Sequence, residues 1–211
     1  MDEDQVDRAA HDRAAHDPPD PHDQQHRHDD AGPDRAGHHH DRHHHDRHGA
    51  SDAGGVRVAV VVASDRCARG EAEDRSGARA AELLRAAGHH VAPVVIVPDG
   101  VASVAGAITA AVPTADVVLT SGGTGVGPRD ATPEATRPLL ERELPGLAEA
   151  LRRHGEAHVA TAVLSRGVAG VTASGALVVN LPGSTRGVEQ GLDVLLPLLR
   201  HVVDQVRGAD H

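Results

Sequence analysis

The amino-acid sequence predicts a three-layer α/β fold, a central and mostly parallel sheet with helices on both faces, behind a polar N-terminal tail. Three observations carry this expectation. A β-branched apolar run starts abruptly at Val56. From there, apolar runs alternate with helical stretches across short connections, the pattern of a sheet covered on both sides. The connections also place glycines and acidic residues together beyond the carboxyl ends of the strands, where such sheets bind ligands.

The elements follow in order. Val56 to Val62 is apolar apart from Arg57, as expected of a strand buried on both faces, and Ser64-Asp65-Arg66 turns away from it. Ser76 to Ala87 reads as a helix with Ala80, Leu83, Leu84 and Ala87 on one face, stopped by Gly88. Val91 to Val97 reads as a second strand, Pro98-Asp99-Gly100 as a turn, Val101 to Val112 as a helix of small residues, and Ala115 to Leu119 as a third buried strand. Thr132-Pro133-Glu134 opens a helix that Thr132 can cap, with Pro133 where its missing N–H costs nothing. Leu144 to His154 is a further helix, and Ala160 to Leu164 and Ala176 to Asn180 read as strands. Leu181-Pro182-Gly183-Ser184 then turns into a last helix near Thr185 to Arg207.

Residues 1–55 differ from all of this. They are almost wholly Asp, His, Arg, Ala, Gly and Pro, with one large aliphatic residue, Val6. Such a segment cannot bury enough apolar surface to offset its ordering entropy, so disorder is expected there, and a single domain over residues 56–211. The tail holds most of the 18 histidines, including His38-His39-His40 and His43-His44-His45. Imidazole with interleaved Asp suits Ni²⁺, Zn²⁺ or Cu²⁺; a solvated low-complexity extension explains the same composition.

Composition narrows the function. Most of the net charge of −10 lies in the tail, and no basic patch of the kind nucleic acid requires is visible. A single cysteine, Cys67, fits a reducing compartment. The N-terminus is polar, unlike a signal peptide, and no run approaches the roughly 18 apolar residues of a membrane span. A cytoplasmic protein is the expectation. There is no Phe, Tyr or Trp, so Val, Leu, Ile and Ala must build the core.

The strongest motif is Thr120-Ser121-Gly122-Gly123-Thr124-Gly125-Val126-Gly127-Pro128-Arg129-Asp130-Ala131-Thr132-Pro133-Glu134, between a buried strand and a helix. Its glycines let backbone N–H groups converge on one anion, a helix N-terminus adds partial positive charge, and Ser121 and Thr124 can donate hydroxyl bonds to phosphate. It lacks the lysine of a P-loop and the spacing of a dinucleotide fingerprint; a plain tight turn is the alternative. A carboxylate in a phosphate loop needs a cation between them, so Asp130 reads as a Mg²⁺ ligand or as a loop-bracing residue. Asp99, alone a turn residue, becomes a second metal or base position if it faces Asp130. Asn180-Leu181-Pro182-Gly183-Ser184 forms another strand-to-helix junction, either a phosphate site or a capped helix start. Arg166, in Ser165-Arg166-Gly167, is a phosphate clamp or a surface arginine. Cys67 reads as a buried or incidental thiol, and His154, His158 and His201 as packing or surface residues.

These segments, together with Asp74-Arg75-Ser76-Gly77, Pro145-Gly146 and Leu164-Ser165-Arg166, occur in an order and spacing that resembles the MogA/MoaB family, which includes the G domain of gephyrin. The resemblance covers roughly Val56 to Arg207. It implies the MogA-like molybdopterin-binding fold, usually in a homotrimer, and adenylylation of molybdopterin by Mg-ATP with release of pyrophosphate. It further implies that Gly122, Gly123, Thr124 and Gly125 hold nucleotide phosphates and that Asp99 and Asp130 are the functional acidic positions, placing Mg²⁺ and the reacting phosphate. Ser165, Arg166, Pro182, Gly183 and Ser184 are implied to line the pterin and nucleotide pocket. The alternative within the family is a MoaB-like carrier or scaffold without catalysis. A downstream molybdenum-insertion enzyme would be a partner. The His/Asp tail is not part of the family pattern.

Overall fold

The computed structural model describes residues 54–209. The tail read at 1–55, with the histidine clusters read there as a candidate metal site, lies outside the described residues apart from Gly54 and Gly55. The apolar run after Val56 forms β1 (Arg57–Ala63), inside the sheet with six of its seven residues buried. Two short strands, β2 (His90–Val91) and β3 (Val95–Val97), pair with it on one side, and β4 (Val117–Ser121) pairs on the other. β7 (Leu177–Leu181) follows β4, and all of these strands are parallel. β6 (Ala169–Thr172) and β5 (Leu140–Glu143) complete the sheet in antiparallel pairings, giving the order β2-β1-β4-β7-β6-β5.

Helices cover both faces. α2 (Ser76–Ala86), α5 (Pro145–Glu156) and α6 (Thr185–Val206) pack on one side, where Leu84, Ala148, Leu192, Leu195 and Leu199 meet Val58, Val60, Leu119 and Val179. α3 (Val101–Ala111) and the short α4 (Thr132–Thr136) cover the other, where Val104, Ile108 and Ala135 meet Val61, Val118 and Val178. Alternate residues of each central strand go to opposite layers, as the period-two geometry of a strand requires. The three-layer expectation holds, and both layers are aliphatic throughout.

Several elements depart from the sequence pattern. The strand expected over Val91 to Val97 is broken at Ala92-Pro93-Val94, because Pro93 has no N–H for a sheet ladder. Ala160–Leu164 is a 3-10 segment, not a strand. It lies against α5, close enough that a Cβ on Gly155 would meet the Ala162 side chain at 2.9 Å, and it leaves Val163 and Leu164 about half exposed. β5 and β6 do not stand out in the sequence: β5 is a charged edge strand and β6 is only four residues long. Thr132 is the first residue of α4, not its cap. The turn after β1 contains a single helical turn, α1 (Asp65–Ala68), capped by Ser64 Oγ.

The sheet register places the site. Ala63 is level with Val97, and Val62 with Ser121, which is level with Leu181. The residues just past these positions, Asp65, Asp99, Gly122 and Gly183, therefore emerge together at one end. The opposite end is closed by Asp116, 9 % exposed. It accepts from Arg57 Nη2 at 2.7 Å, Arg57 Nε at 3.1 Å, the Arg57 amide at 3.0 Å and Arg207 Nη2 at 2.8 Å. The hydrogen bonds from Arg57 are the main reason its carboxyl is held down to about 2.

Candidate active site

The Gly-rich segment leaves β4 through two residues that no other side chain fits. Gly122 has φ +100° and a Cβ there would lie 2.3 Å from the Ala63 carbonyl oxygen; Gly123 has φ +64° and would drive a Cβ to 2.4 Å from Thr132 Oγ1. Gly183 packs against Gly122, with room for only 3.1 Å between a Cβ and the Gly122 Cα. The glycines bring two strand-end loops into contact.

The inner end of the loop is tied by buried bonds. Gly122 N–H donates to Leu181 O at 3.2 Å, Thr132 Oγ1 to Gly122 O at 2.8 Å, and Thr132 N–H to Gly123 O at 3.0 Å. Thr136 Oγ1 donates to Thr132 O, and the Asn180 amide donates to both Thr136 Oγ1 and Thr120 Oγ1 while accepting from Val168 N–H. Asn180 is 3 % exposed, so this network fixes the loop from beneath. The sequence marks Asn180 only as part of a strand-to-helix junction; a polar residue ending a buried strand is the available signal.

Further along, the amides of Thr124, Gly125 and Val126 make no hydrogen bond among the described residues. Unpaired consecutive amides are the raw material of an anion site. α4 adds little to it, being five residues long with its first amide already engaged by Gly123.

The two acidic positions flank this loop. Asp99 Oδ2 accepts the Asp65 amide at 3.0 Å, and Asp65 Oδ1 accepts the Asp99 amide at 3.1 Å. Asp65 also faces Arg129 at 3.5 Å. Asp99 Oδ1 accepts nothing among the described residues and lies beside Gly123, 3.6 Å from where a Cβ would stand. Asp130 Oδ2 accepts the Gly127 amide at 2.8 Å and fills the space that side chains at Gly125 and Gly127 would need, while its Oδ1 has no hydrogen bond among the described residues. Each carboxylate therefore keeps one oxygen open. Among the described residues no group of three or more His, Cys, Asp or Glu side chains forms a metal cage. Two open carboxylate oxygens without a cage suit Mg²⁺, which completes its shell with phosphate oxygens and water.

Beside the loop lies a cavity of about 600 Å³ between α5, the 3-10 segment and the start of α6. Thr124, Gly125, Ser165, Pro182 and Ser184 line it, with Arg152, His158, Arg186 and Gln190, which no motif in the sequence assigns to the site. Ser184 Oγ caps α6 by accepting the Gly187 amide at 3.1 Å. Among the expected contact residues, Ser121, Gly183 and Arg166 do not line this cavity. Ser121 is 2 % exposed and its Oγ lies 3.0 Å from both Pro182 O and Ser76 Oγ. Gly183 acts through its approach to Gly122. Arg166 turns its guanidinium onto the loop backbone and Glu134, neither a free phosphate clamp nor an idle surface residue.

Open amides, half-engaged carboxylates and an adjoining apolar cavity mark the carboxyl end of the sheet of this α/β domain as its candidate ligand site. Residues 59–201 match the model of the probable molybdopterin binding domain, and the chain belongs to that family. It is 42% identical over 158 residues to a molybdenum cofactor biosynthesis bifunctional protein of Synechococcus elongatus, covering 74% of this chain and 49% of that protein. The chain thus spans about half the length of that relative. It is 33% identical to a molybdopterin adenylyltransferase of Helicobacter pylori, covering 72% of this chain and 89% of the relative. The molybdenum cofactor biosynthesis protein B of Bacillus subtilis is 37% identical, with 72% and 91% covered. Among solved structures, a molybdopterin biosynthesis protein from Mycobacterium abscessus superposes with a TM-score of 0.68 at 45% identity, covering 72% of this chain and 96% of that one.

Proposed function

We propose that this chain is a molybdopterin adenylyltransferase of molybdenum cofactor biosynthesis, working in the cytoplasm. The terminal phosphate oxygen of molybdopterin attacks the α-phosphorus of ATP, a P–O bond forms there, and the α–β bridging bond breaks to release pyrophosphate. The observation that carries this reading is the pairing of open oxygens on Asp99 and Asp130 with the unpaired amides of Thr124 to Val126. Such a reaction asks little covalent chemistry of a protein and much positioning and charge neutralisation. The amides hold the polyphosphate, and Asp99 and Asp130 present the oxygens that would hold Mg²⁺. That ion, when bound, supplies charge neutralisation between carboxylates and phosphates. The cavity excludes water from one side and takes the flat ring of a substrate.

A homotrimer fits an unusual helix. α3 carries no charged residue, and its Val101, with Val95 and Ile96 of the neighbouring edge strand, is 40–48 % exposed, apolar surface that a second copy would cover. A downstream molybdenum-inserting enzyme would receive the adenylylated product.

Pyrophosphate release from Mg-ATP by the purified full-length chain, with and without molybdopterin, tests the proposal. Release that requires molybdopterin is expected. Tight molybdopterin binding without release would make the chain a carrier instead.

A further inference from the structure

Arg166 follows the 3-10 segment, 32 residues from Glu134 in sequence, and the two meet above the Gly-rich loop. Arg166 Nε donates to Gly125 O at 2.6 Å, Nη2 donates to Asp130 O at 2.6 Å, and Nη1 pairs with the Glu134 carboxylate. The Arg166 amide donates to Thr124 O at 2.9 Å. The inner end of the loop is fixed by the buried threonine and asparagine network. Its outer stretch, Gly125 to Asp130, has two glycines and a Val126 that is 71 % exposed. Besides Asp130's local bonds and the 3.5 Å Arg129–Asp65 pair, the outer stretch is tied to the rest of the chain only by Arg166, among the described residues. Glu134, in the first turn of α4, orients the guanidinium that makes these bonds. A planar fork with all three nitrogens engaged is a rigid brace.

We propose that Glu134 and Arg166 form a strut that positions the open amides of Thr124 to Val126 and the Asp130 carboxylate, acting on the loop and not on the ligand. The proposal rests on reading this loop as the nucleotide-phosphate site. The competing assignment, a phosphate clamp held in reserve by Glu134, predicts the opposite response when Glu134 loses its charge. A strut weakened at one foot lets the loop move; a clamp released from its partner binds ATP better.

The experiment is Glu134→Gln in the full-length chain, read in two ways. Hydrogen exchange at the Gly127 and Asp130 amides, the bonded ones of the outer stretch, needs no substrate, and the strut predicts exchange there about tenfold faster, the loss of a charge-assisted bond. In molybdopterin-dependent pyrophosphate release, KM for ATP is expected to rise by about three- to tenfold while kcat changes less than about twofold. Arg166→Ala should reproduce both effects at larger size, and the double variant should be no worse than Arg166→Ala alone, because the pair acts as one unit. Unchanged exchange in Glu134→Gln, or a lower KM for ATP, would overturn the strut. If the unaltered chain releases no pyrophosphate, the proposed function fails, and the exchange measurement still decides the strut.

Discussion

At the amino end of the sheet, Asp116 gives both carboxylate oxygens to two arginines and a backbone amide; at the carboxyl end, Asp99 and Asp130 each give one oxygen to a single amide and keep the other open. The residue type is the same and so is its place at a strand end or connection. What differs is the partner. Arginine cancels the charge and closes the group, which turns Asp116 into a clasp joining β1, β4 and the end of α6. A backbone amide fixes the orientation of a carboxylate while leaving its charge in place, which suits a site that must attract a cation.

The comparison is most directly broken at the open end. Asp130→Asn keeps an oxygen for the Gly127 amide and removes the charge. Molybdopterin-dependent turnover should fall by about a hundredfold or more, the scale of a lost electrostatic contact to a reacting phosphate, with the melting temperature within a few degrees of the parent. Turnover near the parent's would return Asp130 to the role of a brace. Gly122→Ala tests the scaffold under that end. A Cβ 2.3 Å from a carbonyl oxygen, on a backbone with φ +100°, should cost about 2–4 kcal/mol in urea unfolding. A loss under about 1 kcal/mol would mean that the loop relaxes where its contacts say it cannot.

The closed end predicts the converse pattern. Asp116→Ala strips the partner from Arg57 and Arg207 and should lower stability by about 2 kcal/mol and the melting temperature by about 4–8 °C, while activity per folded molecule stays unchanged. Reduced activity at unchanged stability would contradict the division between the two ends. The smallest effect sharpens the same point. Because the Asp116 carboxyl is lowered from 3.8 to about 2 on folding, the unfolded chain binds the proton more readily. The clasp is then fully stabilising above pH 4 and loses up to about 2 kcal/mol as the pH falls towards 2. Urea titrations between pH 5 and 2 on the parent and on Asp116→Asn should diverge above pH 4 and converge below it.

Much of the geometry of this candidate site is legible in the sequence alone. The glycines after β4 and the Asn180 to Ser184 junction follow buried apolar runs, the acid of Pro98-Asp99 follows an apolar but partly exposed one, and parallel register carries such positions to one end. What the sequence withholds is direction. Ser121 belongs to a strand buried on both faces, so nothing local says whether its hydroxyl points to ligand or to Ser76 and Pro182. Arg166 and Glu134 are 32 residues apart, and no periodicity links them. Ala160 to Leu164 has the β-branched composition of a strand but lies on α5 instead. Taken as a strand it conceals the cavity, because the segment forms one of its walls. β5 escapes notice because an edge strand can be charged, and Leu140-Glu141-Arg142-Glu143 is mostly that.

The aliphatic core has one more consequence, an optical one. With no Trp, Tyr or Phe anywhere in the chain, the protein is nearly transparent near 280 nm and does not fluoresce in the ultraviolet. A purine or pterin seated in the cavity would then be the only strong chromophore in the sample. Occupancy, stoichiometry and release of the bound ring could be followed by its own absorption and emission, with no label and almost no background from the protein that holds it.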